Sequence, residues 1–152
     1  QGYTWNSGIA ASEQECTPDQ FLHNSSTHQA AYFFSSVTFN GDYLEENDWV
    51  GAFNEDVCVG ARKWDITQCG SGVCDVPVLG YDGDLTLGYM SEGDLPTFRV
   101  FKASSLSYHN IFQSDNPDCT NDLNLVGWWE SFGICLFDSL SECENGAQFC
   151  DK

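Results

Sequence analysis

Cationic side chains are scarce: 5 Lys and Arg stand against 23 Asp and Glu, a formal net charge of −18 over 152 residues. A surface of that sign repels phosphate backbones and anionic bilayers, so nucleic-acid binding and membrane-surface attachment are excluded on electrostatic grounds. Long apolar runs are also missing. The most apolar window, Ala30 to Phe39, is short and interrupted by serines, so no membrane insertion is expected. The chain has no Gly-x-Ser-x-Gly elbow, and its 3 histidines, His23, His28 and His109, lie in polar or loop-like contexts. A catalytic triad is therefore not expected. Carboxylates are abundant enough to pair by chance, but so small a domain rarely adds the cleft that glycosidase chemistry needs, and the chain is expected not to be an enzyme. No Cys-x-x-Cys pair is present, which removes the zinc-ribbon and zinc-finger spacings.

What is present begins with 8 cysteines, at positions 16, 58, 69, 74, 119, 135, 143 and 150. An even set without metal spacing reads as disulfides and places the chain in an oxidising, extracellular compartment. Cys69 and Cys74 enclose a Gly-containing loop, as do Cys143 and Cys150, and each pair is expected to close locally at modest entropic cost. The partners of Cys16, Cys58, Cys119 and Cys135 stay open at this level. The chain starts at Gln1 with no Met, basic n-region or apolar h-region, so a signal peptide is expected to have been removed. Asn24-Ser25-Ser26 is an N-glycosylation sequon, making Asn24 the candidate glycan acceptor.

Periodicity points to strands. Ala30 to Phe39 is aromatic and β-branched, with Phe33, Val37 and Phe39 predicted on one face, and Asn40-Gly41 after it is a tight hairpin turn. Asp48 to Phe53 and Val57 to Trp64 flank a short acidic turn and predict a second hairpin. Gly51 and Gly60 mark close backbone approach or a bulge within it, with Trp49 or Phe53 filling the space. Val76 to Leu79 contains Pro77 and belongs at an edge; Thr97 to Ala103, Leu123 to Trp129 and Ser131 to Phe137 are further strands. Sustained helical spacing with caps is lacking. The pattern predicts an all-β fold: an antiparallel, immunoglobulin-like or jelly-roll-like β-sandwich over residues 30–152, stapled by disulfides and preceded by an extended N-terminal arm over 1–29.

Two loops carry the oxygens that Ca²⁺ takes: Asp82-Gly83-Asp84 with Glu92 and Asp94, and Asp115, Asp118, Asn121 and Asp122. Ca²⁺ is the only cofactor the sequence suggests, with Asp82 and Asp84 as first ligands. Trp5, Ile9 and Phe21 are isolated apolar points in the arm and read as interface anchors. Adjacent Trp128 and Trp129 point to opposite faces if they lie in a strand, leaving one indole for a sugar platform or a subunit interface.

The set Asp48-Trp49-Val50-Gly51-Ala52-Phe53, Asp56-Val57-Cys58-Val59-Gly60-Ala61-Arg62, Trp64-Asp65, Cys69, Cys74-Asp75-Val76-Pro77-Val78, Gly88-Tyr89-Met90 and Pro96-Thr97-Phe98 resembles a secreted domain. That domain occurs, often repeated, in modular surface proteins of aquatic bacteria and some microbial eukaryotes. The similarity starts near Phe21 and fades after about Tyr108. It implies an extracellular β-sandwich without an established activity, and some relatives resemble the subunits of filaments in natural water. The expectation is a structural subunit that polymerises head to tail with copies of itself into a helical filament, through the N-terminal arm and sheet edges. The alternative is a carbohydrate-binding or adhesion module that takes glycans on exposed aromatics.

Overall fold

A computed structural model describes residues 16–120 and 126–142. The expectations that fall on Trp5, Ile9, Asn121, Asp122, Cys143 and Cys150 lie outside the described residues. The described chain is all-β, as expected, with short 3-10 turns and no α-helix. Nine strands run in order: β1 (Gln29–Phe39), β2 (Asp42–Tyr43), β3 (Trp49–Asn54), β4 (Val57–Lys63), β5 (Cys74–Leu79), β6 (Thr97–Lys102), β7 (Ser107–Gln113), β8 (Asp118–Cys119) and β9 (Ile134–Ser141). They form one curled sheet in the order β2-β1-β9-β7-β6-β3-β4, with β5 also on β1 and β8 on β9.

The sheet is mixed, which corrects the antiparallel expectation. β9 enters parallel to β1, Ala31 opposite Ile134 through Val37 opposite Leu140, while every other ladder is antiparallel. Parallel neighbours need a long crossover, and the whole body between Asn40 and Gly133 supplies it. Composition and turn signals carry no information about that long-range choice.

The two predicted hairpins are present. Asn40 (φ 55°) and Gly41 (φ 84°) adopt the left-handed conformation that a two-residue β1–β2 turn requires, and Glu55 (φ 56°) does the same between β3 and β4. The face assigned to β1 was wrong in its first half. Ala30, Tyr32 and Phe34 are buried, and the phase changes across Ser35-Ser36 so that Val37 is buried next. Strand β7 gave no advance signal, and residues 126–129 of the proposed Leu123–Trp129 strand form none.

The core sits inside the curl. Tyr32 and Phe34 from β1 meet Phe98 from β6 and Phe137 from β9, with Val50, Val59, Val76 and Val78 fully buried around them. Curling packs β4 against the carbonyls that β5 turns away from β1. A Cβ on Gly60 would stand 2.8 Å from the Pro77 carbonyl carbon and nearer still to its oxygen, so glycine is required there. Arg62 Nε donates to Asp75 O across the same seam (2.9 Å). Pro77 is thus an edge residue whose missing N–H removes no ladder bond.

Gly51 also marks a close approach, but the ring over it belongs to Phe21 rather than to Trp49 or Phe53, 2.7 Å from where a Cβ would lie. Phe21 is fully buried and edge-on to Phe53 (5.8 Å) and Tyr108 (5.4 Å). It therefore cannot be an exposed anchor, and the stretch from Pro18 to Phe21 is packed on the body rather than reaching away from it. Its apolar ring, isolated in sequence, found the one gap in β3 that lacks a side chain.

Among the described residues one charged group, Asp48, is fully buried. Asp48 accepts from Lys102 Nζ (2.7 Å), Glu45 N (2.8 Å) and Ala103 N (2.9 Å), tying the β2–β3 and β6–β7 connections together. Both oxygens accept and a cation is paired with them, which is what a buried carboxylate needs.

Candidate functional site

Strand β9 alternates over its first half, Ile134 to Asp138, and changes phase at Ser139. Cys135, Phe137 and Leu140 face the core, while Ile134 and Leu136 are 42% and 46% exposed. The inward phase is pinned covalently, because Cys135 is bonded to Cys119 on β8. Trp128 lines one shallow depression with Ile134 and that disulfide, and is 52% exposed. Its neighbour Trp129 is buried, its indole N–H donating to Val78 O (2.8 Å). The expected division of the two tryptophans holds, although they lie in an irregular segment rather than a strand.

The turn leading into β9 displays a further ring. Phe132 is 70% exposed at φ 65°, a conformation that costs a non-glycine residue about 1–2 kcal/mol. The surroundings impose it: Gly133 N donates to Glu130 O, Phe132 N to Gln29 O, Ala31 N to Gly133 O and Ser131 N to the Glu92 carboxylate. Leu106, in the turn between β6 and β7, combines a left-handed conformation (φ 53°) with 76% exposure in the same way. Trp128, Phe132, Ile134 and Leu136 are thus four exposed large apolar side chains within a short stretch of a strongly acidic chain, referred to below as the apolar ridge.

The other predicted sites are placed as follows. Asp82 is exposed and already engaged: Oδ2 accepts from Thr27 N (2.7 Å) and Thr27 Oγ1 (2.9 Å), and Oδ1 from Thr86 Oγ1 (2.9 Å). The Thr27 N–H, followed by the Thr86 and Thr27 hydroxyls, holds its carboxyl below the usual range. Asp82 is a staple of the loop that follows β5, and Asp84 beside it is exposed. Asp94 accepts from Ser91 N (2.9 Å), and Glu92 serves the Phe132 turn. Among the described residues no three His, Cys, Asp or Glu side chains gather closely enough to hold a metal ion.

Cys69 and Cys74 are bonded, as expected. The Cys119–Cys135 bond resolves a pairing that spacing left open, because residues 16 apart gave no local clue while β8 and β9 place them directly opposite. Cys58 is a buried thiol, pushed up to about 11 chiefly by burial. Two disulfides fit an oxidising compartment. Asn24 is exposed, its amide donating to Leu85 O (2.8 Å) and its backbone N–H to the Tyr89 hydroxyl (2.8 Å).

The histidines do not build a triad. His23 contacts Phe21 O, His28 contacts Ser131, and His109 Nε2 lies 2.7 Å from Ser107 Oγ, with no carboxylate on its other nitrogen among the described residues. No described helix is long and apolar enough to cross a membrane. No family model, curated protein or solved structure matches this chain.

Proposed function

We propose that the chain is a structural subunit of an extracellular assembly, in which a second copy covers the ridge of Trp128, Phe132, Ile134 and Leu136. The observation that carries this reading is Phe132, held in a strained left-handed turn with its ring in solvent. Aliphatic Ile134 beside Trp128, and Leu136 two residues further along β9, favour a protein partner over a sugar, since a sugar platform needs flat aromatic faces. The occupant is residues 1–15 of the neighbouring copy, a polar stretch whose apolar points Trp5 and Ile9 share one face if the segment is extended. Such a contact is heterologous and propagates head to tail into a filament. A glycan on Asn24 leaves one amide hydrogen for Leu85 O and is compatible with this surface.

Light scattering after size exclusion, with negative-stain microscopy, tests the reading. The unaltered chain is expected to form filaments or large oligomers. Phe132→Gly removes the ring and relieves the strained φ, so it is expected to fold at least as well and yet run as a monomer. Deleting residues 1–15 leaves Pro18 and Phe21 in place and is expected to have the same effect. A monomeric unaltered chain, or assembly that survives both changes, overturns the proposal.

A further inference from the structure

A second surface, distant in chemistry from the apolar ridge, lies between the β1–β2 hairpin and the turn joining β6 to β7. It is an open groove of about 640 Å³, within the range of small-molecule sites, roughly 300–1,000 Å³. One wall is Tyr43, 72% exposed on the short strand β2. The hairpin that carries it is fixed by its left-handed turn, by Leu44 N on Val37 O (3.2 Å) and by Asn40 N on the Glu142 carboxylate (2.9 Å). Tyr43 is thus an aromatic face presented to solvent on a rigid mount.

The opposite wall is hydroxylic. Ser105 Oγ lies 2.6 Å from Ser107 Oγ, which lies 2.7 Å from His109 Nε2, and the imidazole stacks on Phe39 at 4.5 Å. Rotating the hydroxyls or changing the imidazole tautomer reverses the direction of this chain, so it can offer a donor or an acceptor to a ligand hydroxyl. Asp42 and Glu45 stand exposed on the rim as pure acceptors. The one cation of the groove, Lys102, is committed to Asp48 at 2.7 Å. An anionic ligand would meet two carboxylates and no available cation.

We propose that this groove binds a neutral, hydroxyl-rich saccharide, which stacks one sugar face on Tyr43 while its hydroxyls bond Ser105, Ser107, Asp42 and Glu45. A ring for stacking, a reversible hydroxyl chain and exposed carboxylate acceptors are the three groups sugar recognition needs. The site is independent of the assembly contact.

Isothermal titration with cellohexaose, laminarihexaose and mannohexaose tests it, with a sulfated heparin hexasaccharide as the anionic probe. At least one neutral hexasaccharide is expected to bind at millimolar concentration or better, and heparin more weakly. Tyr43→Ala is expected to weaken binding about tenfold and Tyr43→Phe to preserve it, since the phenol hydroxyl is not needed for stacking. Ser105→Ala is expected to weaken it severalfold. All three changes fall on exposed positions and leave the core alone. Phe132→Gly is expected to leave affinity unchanged, which separates this site from the ridge. No binding by any neutral probe, tighter binding of heparin, or full affinity in Tyr43→Ala overturns the assignment.

Discussion

Replacing Gly60 with alanine puts a methyl group into the seam that closes the curl. The new Cβ would lie 2.8 Å from the Pro77 carbonyl carbon and closer to the oxygen, where carbon-to-oxygen contacts normally rest at about 3.3–3.6 Å. The obstacle is backbone, so no rotamer change relieves it. Either β4 or β5 has to withdraw by roughly 1 Å or more. Withdrawal pulls on Val59, Val76 and Val78, all fully buried, and on the bonds from Trp129 Nε1 to Val78 O and from Arg62 Nε to Asp75 O. Overpacking costs about 1–3 kcal/mol where side chains can adjust, and a backbone clash belongs at the upper end, about 3 kcal/mol. With an m-value near 2 kcal/mol/M, the urea midpoint should fall by about 1.5 M. Thermal melting should drop by roughly 6–12 °C. Gly70→Ala is the control, because a Cβ there meets nothing within 4 Å. Circular dichroism and tryptophan fluorescence in urea read both variants. A Gly60→Ala midpoint equal to that of the unaltered protein would refute the seam.

Asp48→Asn keeps the shape but leaves Lys102 charged and mostly buried, so urea denaturation should show a loss of about 3–5 kcal/mol; a loss under 1 kcal/mol would mean that the pair is not desolvated. Asp82 has a depressed folded-state pKa, so its contribution is complete above the unfolded carboxylate value near 3.9 and is lost as pH falls through the folded value. The Thr27 amide resonance should accordingly stay put down to about pH 4 and move only below it, and movement centred above pH 5 would contradict the hydrogen bonds found here. Cys58, buried with its thiol at about 11, should resist iodoacetamide at neutral pH until urea unfolds the chain, as peptide mass spectrometry would show. If assembly proceeds through the ridge, added monovalent salt should promote it by screening the −18 charge of each copy, and dissociation by salt would point to an ionic contact instead.

Local chemistry was legible in the sequence, and phase and partnership were not. Asn40-Gly41, Pro77 and the Cys69–Cys74 loop each announce their structure because the constraint lies within a few residues. β1 defeated a single-phase reading because its side chains change face at Ser35-Ser36, where it leaves β5 and approaches β2. β7 escaped notice because Ser107, His109 and Asn110 dilute its apolar residues; its role in joining β6 to β9 demands backbone pairing more than hydrophobicity. Phe21 was read as an anchor because apolar residues in a polar segment look available, and only the space over Gly51, far away in sequence, shows where it goes. The saccharide groove was invisible for a similar reason: Tyr43, Ser105 and His109 come from three elements that no sequence motif joins.

The apolar ridge depends on register, and register on a covalent bond. In a strand with period two, a slip of one residue would turn Ile134 and Leu136 inward and Phe137 outward. Hydrophobicity alone barely separates the two registers, since both faces of β9 carry apolar side chains. Cys135 helps to separate them: it is buried and bonded to Cys119, which packs against the core, and Phe137 on the same face stacks on Tyr32 and Phe34. The same pin leaves Ile134 and Leu136 no place in the core. A solvent face with two large aliphatic residues in succession is costly for a chain that otherwise covers its surface with carboxylates. Each is little more than half buried, so polar residues at 134 and 136 would cost the fold only part of an apolar side chain's burial. Their presence, beside a phenylalanine held in a strained turn, therefore argues for a contact that the isolated chain does not make.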